Sequence, residues 1–184
     1  MRNLIIISGD LASGKSTLAN ALSIELNIPF LTKDSLKEIA RDAVGYESRE
    51  ENRNLSIAAT NSMIYFFEQI SKVDGDLILE ANFRNNEISA IKNITDEKSY
   101  NVLLIVLTGD INLLFMRFID RLSTRHIAHK SMHLEKSLED FNRYISDIRN
   151  EDLIYPPHYI DMTELDEEDV TNQALEIIHQ ELGI

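Results

Sequence analysis

Gly9-Asp10-Leu11-Ala12-Ser13-Gly14-Lys15-Ser16-Thr17 is the stretch on which the reading of this chain turns. A glycine, four intervening residues and Gly-Lys-Ser is the spacing of a phosphate loop. The flanks supply the context that the motif needs. Leu4-Ile5-Ile6-Ile7 before it is a short apolar run of mostly β-branched residues, as a buried parallel strand has. Leu18, Ala19, Leu22 and Leu26 after it recur at helical spacing. The motif therefore sits at a strand-to-helix turn.

The residue types explain the chemistry. Gly9 and Gly14 permit backbone turns that a Cβ blocks. Successive N–H groups then converge on an anion at the positive end of a helix dipole. Lys15 brings a mobile charge to the β- and γ-phosphates, and the Ser16 hydroxyl is placed to ligate Mg²⁺. Thr17 is placed for a further phosphate oxygen. Residues Gly9, Asp10, Leu11, Ala12, Ser13, Gly14, Lys15, Ser16 and Thr17 are thus the expected nucleoside-triphosphate site.

Composition narrows the setting. The chain has 184 residues, enough for one well-buried domain, with 43% apolar and 27% charged residues. The absence of cysteine excludes disulfides, thiolate metal sites and a cysteine nucleophile. The N-terminal apolar run leads straight into the loop, unlike a signal peptide, and Val102 to Leu107 is too short to span a bilayer. A cytoplasmic protein is expected. The net charge of −13 disfavours an extended nucleic-acid surface or an anionic membrane as partner, but not a small anionic ligand in a local basic pocket.

Strand and helix patterns alternate from end to end, which predicts an α/β fold with a parallel sheet between helical layers. The expected strands are Asn3–Ser8, Phe30–Thr32, Leu77–Ala81, Val102–Thr108 and Tyr159–Met162. Helices are expected from Lys15 to Leu26, Ser35 to Ala43, Arg49 to Lys72 and Asn86 to Asp96. Another starts near Asp110, and one carries Leu134, Leu138, Phe141, Ile145 and Ile148. A last helix opens on Asp166-Glu167-Glu168-Asp169, where acid suits the dipole. In such sheets ligands bind beyond the carboxyl ends of the strands.

Those ends hold the candidate residues. After strand two, Asp34 is placed to accept the proton of an acceptor hydroxyl. Ser35 and Glu38 read as a Ser-x-x-Glu capping box, which leaves Asp34 freer for chemistry; Asp34 is the cap instead if the helix starts one residue earlier. Lys37, one turn on, faces either the cleft or solvent. After strand three, Glu80 stands where an acid holds Mg²⁺ or orients substrate, and Asn82 and Arg84 are candidate substrate contacts. Arg117, Arg121 and Arg125 are each four apart and so are expected on one helical face, suited to phosphate. His126, His129 and His133 have spacings of three and four that suit a zinc pair, but they follow the arginines directly. They are read as part of a basic lid.

These residues, in this order, resemble the P-loop kinases of the nucleoside-monophosphate-kinase-like group, most nearly the zeta-toxin, chloramphenicol-phosphotransferase and polynucleotide-kinase-like branch. The resemblance implies a three-layer P-loop NTPase with a five-stranded parallel sheet in the order 2-3-1-4-5. It implies one domain over residues 1–184, an acceptor-binding helical region at about 35–73 and a lid at about 117–133. ATP and Mg²⁺ are the implied cofactors, with Ser16 and Glu80 at the metal. Asp34 matches the acid that activates an acceptor hydroxyl, and Arg117 and Arg121 match lid arginines, with Arg125 beside them. Arg125-His126 with His129 resembles a family segment reading Arg-His-Pro-Gly-His, with Ile127-Ala128 in place of Pro-Gly. The expected activity is phosphoryl transfer from ATP to a hydroxyl of a small molecule. The alternatives are a nucleoside or polynucleotide 5′-hydroxyl kinase, and a nucleotide-dependent switch without a small acceptor.

Overall fold

β1 (Arg2–Gly9) is the centre of the sheet because it can be nothing else: Leu4, Ile5, Ile6 and Ile7 are all fully buried, so both of its faces must be covered. In this computed structural model, which describes residues 2–83, 85–129 and 137–184, β1 pairs in parallel with β3 (Leu77–Glu80) on one side. On the other it pairs with β4 (Tyr100–Thr108). β2 (Phe30–Thr32) and β5 (Pro157–Asp161) are the edges, so the order is β2-β3-β1-β4-β5, as the resemblance implies.

Residue alternation divides the core in two. Ile5, Ile7, Ile78, Leu103 and Leu107 face one layer. It consists of α1 (Lys15–Leu26), α5 (Ile111–Asp120), α6 (Leu138–Arg149) and α7 (Glu167–Leu182). Leu4, Ile6, Leu77, Leu79 and Leu104 face the other layer, where Met63 and Phe67 of α3 (Arg49–Ile70) and Ile91 of α4 (Asn85–Lys98) pack. α2 (Lys33–Val44) buries no residue fully and stands beyond the carboxyl edge of the sheet.

Several local expectations are corrected. α2 starts at Lys33, two residues early, because Thr32 is its cap: the Thr32 side chain accepts the Ser35 N–H at 3.2 Å. The predicted Ser35–Glu38 capping box therefore does not form, and Asp34 lies inside the first turn. α5 ends at Asp120 and the chain tightens into a 3₁₀ turn at Arg121–Ser123, with a second at Ile127–His129. Arg117, Arg121 and Arg125 hence do not share one continuous helical face. α6 opens at Leu138 with Ser137 as cap, and α7 has a full capping box between Asp166 and Asp169. Leu134, His133 and Arg84 lie outside the described residues. Among the described residues no helix is long and apolar enough to cross a membrane.

Candidate active site

The loop between β1 and α1 is shaped by three positive φ angles: Gly9 at 129°, Ala12 at 61° and Gly14 at 88°. Gly9 is obligatory on packing grounds as well. A Cβ there would stand 2.0 Å from the Leu107 carbonyl oxygen of β4. Gly14 is the N-cap of α1 and offers no side-chain acceptor, so the first N–H groups of that helix remain available to an anion. The buried Ser13 hydroxyl donates to the Asp10 carbonyl at 2.8 Å and pins the turn.

Lys15 reaches back across the loop. Its ammonium donates to the Gly9 carbonyl at 3.1 Å and to the Asp10 carbonyl. Burial pushes it below its usual value, against the pull of Glu80, Asp34 and Asp10, and Arg121 adds to the lowering. The Ser16 hydroxyl donates to Glu80 Oε2 at 3.1 Å. Glu80, the last residue of β3, is only 5% exposed. Burial raises its carboxyl above the usual range, Lys15 and the Ser16 bond hold it down, and Asp34 pushes it further up. Lys15, the Ser16 hydroxyl and the carboxylates of Glu80 and Asp34 thus act on one another at the front of the loop.

These groups open on one cavity of about 550 Å³, shared with Asp34, Glu38, Arg121, Arg125 and His129. Arg121 and Arg125 reach it although α5 has ended, because the Arg125 N–H bonds the Arg121 carbonyl at 2.8 Å and keeps one more turn. The Arg125 guanidinium lies 5.5 Å from the Phe118 ring centroid, and its burial lowers its affinity for a proton.

The other candidates are elsewhere. Arg117 borders a neighbouring cavity of about 270 Å³ with Gly14, Thr17, Leu165 and Val170, and its Nη1 lies 3.4 Å from Met162 Sδ. Asn82 faces a third cavity of about 260 Å³, behind the loop, together with Arg149 and Tyr159. Lys37 is beside Asp34, and burial lowers its ammonium while Asp34 raises it. Lys33, by contrast, is tied to Glu87 at 2.8 Å.

Arg149 was not anticipated. Its guanidinium grips the buried Asp10 carboxylate at 3.1 and 2.5 Å and donates to the Gly109 carbonyl at 2.7 Å. The Gly109 N–H also donates to Asp10, at 3.2 Å. The Asp10 side chain thus points away from the loop's concavity. The available signal was chemical: an aspartate inside an anion-binding loop needs a cation of its own.

A structure of a candidate kinase from Chloroflexus aurantiacus j-10-fl superposes with a TM-score of 0.83 at 27% identity, covering 98% of each chain. A gluconokinase from Sinorhizobium meliloti 1021 gives 0.61 at 15% identity, over 97% of this chain and 92% of that one. The Deinococcus radiodurans tunicamycin resistance protein gives 0.59 at 13%, over 97% and 94%. The last two likenesses are of fold. Among curated proteins nothing matches. The family model described as Zeta toxin matches residues 2–174, which takes in the loop, Asp34, Glu80, Arg117, Arg121, Arg125 and Arg149, so the chain is a P-loop kinase-fold protein that belongs to the Zeta toxin family.

Proposed function

We propose that this protein transfers the γ-phosphoryl group of ATP to a hydroxyl of a small molecule. The observation that carries the reading is that one cavity holds the phosphate loop, Asp34 and two arginines. A triphosphate seated on the loop amides would direct its γ-phosphorus toward Asp34. In the step proposed, the acceptor oxygen forms a bond to that phosphorus as the bond to the ADP oxygen breaks. ADP leaves with the electron pair, and the acceptor's proton passes to the Asp34 carboxylate. Lys15 turns from the loop carbonyls to the β- and γ-phosphates, and Arg121 and Arg125 offset charge developing on the transferring group.

The donor set suits a hard divalent cation. Ser16 Oγ and Glu80 Oε2 are two oxygen ligands 3.1 Å apart, and a cation would relieve the cost of the buried carboxylate. Ser16 and Glu80 would hold Mg²⁺ there, and the bound cation would supply positive charge against that of the phosphates. The smaller cavity beside Gly14 and Thr17, walled by Arg117, Leu165 and Val170, is the proposed seat of the nucleobase. The α2–α3 region at about 35–73 and the lid, within a single domain, would surround the acceptor. A small acceptor is in keeping with the net charge of −13, and the gluconokinase among the fold neighbours is named for one.

The test is a transfer screen with ATP, Mg²⁺ and pooled sugars, nucleosides, aminoglycosides, chloramphenicol-like alcohols and 5′-hydroxyl oligonucleotides. One acceptor should drive ADP release. Lys15→Ala and Asp34→Asn should each reduce that rate by about a hundredfold or more. Full transfer by Asp34→Asn would remove Asp34 from the chemistry. Transfer to oligonucleotides alone would replace the small acceptor with a polymer end.

A further inference from the structure

The 3₁₀ turn at Ile127–His129, with His126 just before it, is fastened by three side-chain bonds, two to α2 and one to Tyr46 beyond its end. His129 Nε2 meets Glu38 Oε1 at 2.9 Å, and His126 Nε2 meets Asp42 Oδ1 at 3.2 Å. The Tyr46 hydroxyl donates to the Ile127 carbonyl at 3.0 Å. A further bond is internal to this segment, where the Ala128 N–H donates to His126 Nδ1 at 3.2 Å. That last bond makes Nδ1 the acceptor, so in His126 the proton is on Nε2 and is given to Asp42.

The α2 side of this contact is regular. Asp34, Glu38 and Asp42 are at i, i+4 and i+8, one stripe of three carboxylates. His129 lies over the first two. It is 7% exposed, with Nδ1 3.9 Å from Asp34 Oδ1 while Nε2 is engaged by Glu38. The charged groups around the ring are Asp34, Lys37 and Glu38 of α2, and Arg125 of its own segment. A residue this buried, aimed between two acids on another element, does more than fill space.

We propose that His129 is a positioning residue: it seats the lid turn on the carboxylate stripe of α2 and thereby sets Asp34 and Arg125 on the same wall of the phosphate cavity. The proposal rests on the kinase reading for its purpose, but the seating itself is a structural claim. A neutral imidazole suffices for it. Nε2–H satisfies Glu38, and the bare Nδ1 limits how closely the Asp34 carboxylate can approach. Burial, which disfavours imidazolium here, keeps the ring in that form.

Seating can be read without any acceptor. Trypsin cleavage after Arg125, followed by mass spectrometry in the presence and absence of ATP and Mg²⁺, reports whether the turn is held. His129→Ala should speed that cut by about tenfold or more, the worth of a hydrogen bond to a charged partner. Glu38→Ala should do the same from a residue whose side chain is 37% exposed, which covers the case in which His129→Ala fails to fold. His129→Gln should restore most of the protection, since an amide N–H can replace Nε2–H. Nitrogen NMR of the wild type should show His129 protonated at Nε2, with a pKa that falls further in Asp34→Asn because Asp34 now holds it up. If the transfer screen yields an acceptor, His129→Ala should raise KM for it and lower kcat, with KM for ATP little changed, and His129→Gln should recover both. Unchanged cleavage in both alanine variants overturns the seating, whatever the screen shows. Faster cleavage with unchanged transfer kinetics overturns the positioning role and leaves the kinase reading standing.

Discussion

Asp10 and Glu80 are both buried carboxylates at the phosphate loop, at 1% and 5% exposure, yet they live in opposite conditions. Asp10 has every oxygen engaged, by two nitrogens of Arg149 and by the Gly109 N–H. Glu80 has the Ser16 hydroxyl and the longer-range attraction of Lys15, set against burial and Asp34. The first arrangement is complete and serves as scaffold. The second is incomplete, with donors, acceptors and charges aimed at a common space. Local rules that hold everywhere else in a fold are broken where a ligand is to be received. At the loop the Asp10 carboxylate is thus fully engaged behind, while Glu80 faces the open cavity in front.

That contrast can be broken from either side. The largest effect is expected behind the loop. Arg149→Ala strands the Asp10 carboxylate in the interior, at a cost of about 3 kcal/mol, measured by urea denaturation. Asp10→Asn in the same background should recover part of that loss, since the charge is gone. A stability loss near zero in Arg149→Ala would mean that Asp10 finds another partner.

The next effect has the opposite sign. Glu80→Gln should stabilise the protein at neutral pH by about 1 kcal/mol, while reducing Mg²⁺-dependent transfer by about a hundredfold. The pH dependence follows from the raised carboxyl. A group whose folded pKa exceeds its unfolded value supports the fold fully below the unfolded value, here 4.5, and the support is lost as pH rises through the folded value. The difference between Glu80→Gln and the wild type should therefore close on acidification toward that value and open above it. A variant less stable than the wild type at pH 7 would show that Glu80 is satisfied after all. The smallest effect is expected from Ser16→Ala. It removes the Ser16 hydrogen bond that helps hold the Glu80 carboxyl down, so its pKa should move further up, with a stability loss of about 0.5–1 kcal/mol.

Much of this architecture was legible in the residues. Strictly apolar Leu4–Ile7 demanded a strand covered on both faces, and the loop motif that follows it demanded a helix. Long-range partners were not legible. Arg149 ends an amphipathic helix like any surface arginine, and only the folded chain puts it on Asp10. The capping signal at Ser35 was genuine chemistry attached to the wrong residue. Thr32 competed for the same N–H and won, because it also ends β2 and so stands at the entry of the helix. That displacement freed Glu38 for His129, a pair 91 positions apart. The row of arginines was read on a continuous helix, whereas a 3₁₀ turn after Asp120 sends Arg117 to one cavity and Arg121 and Arg125 to another.

The Arg149–Asp10 pair spans 139 positions of sequence. At a synthesis rate of about 5–20 residues per second, a ribosome needs on the order of ten seconds to travel from one member to the other. Throughout that interval the growing polypeptide carries a complete phosphate-loop sequence without the arginine that engages its aspartate in the fold. The rear support of the loop is thus completed late in translation, only once Arg149 has emerged.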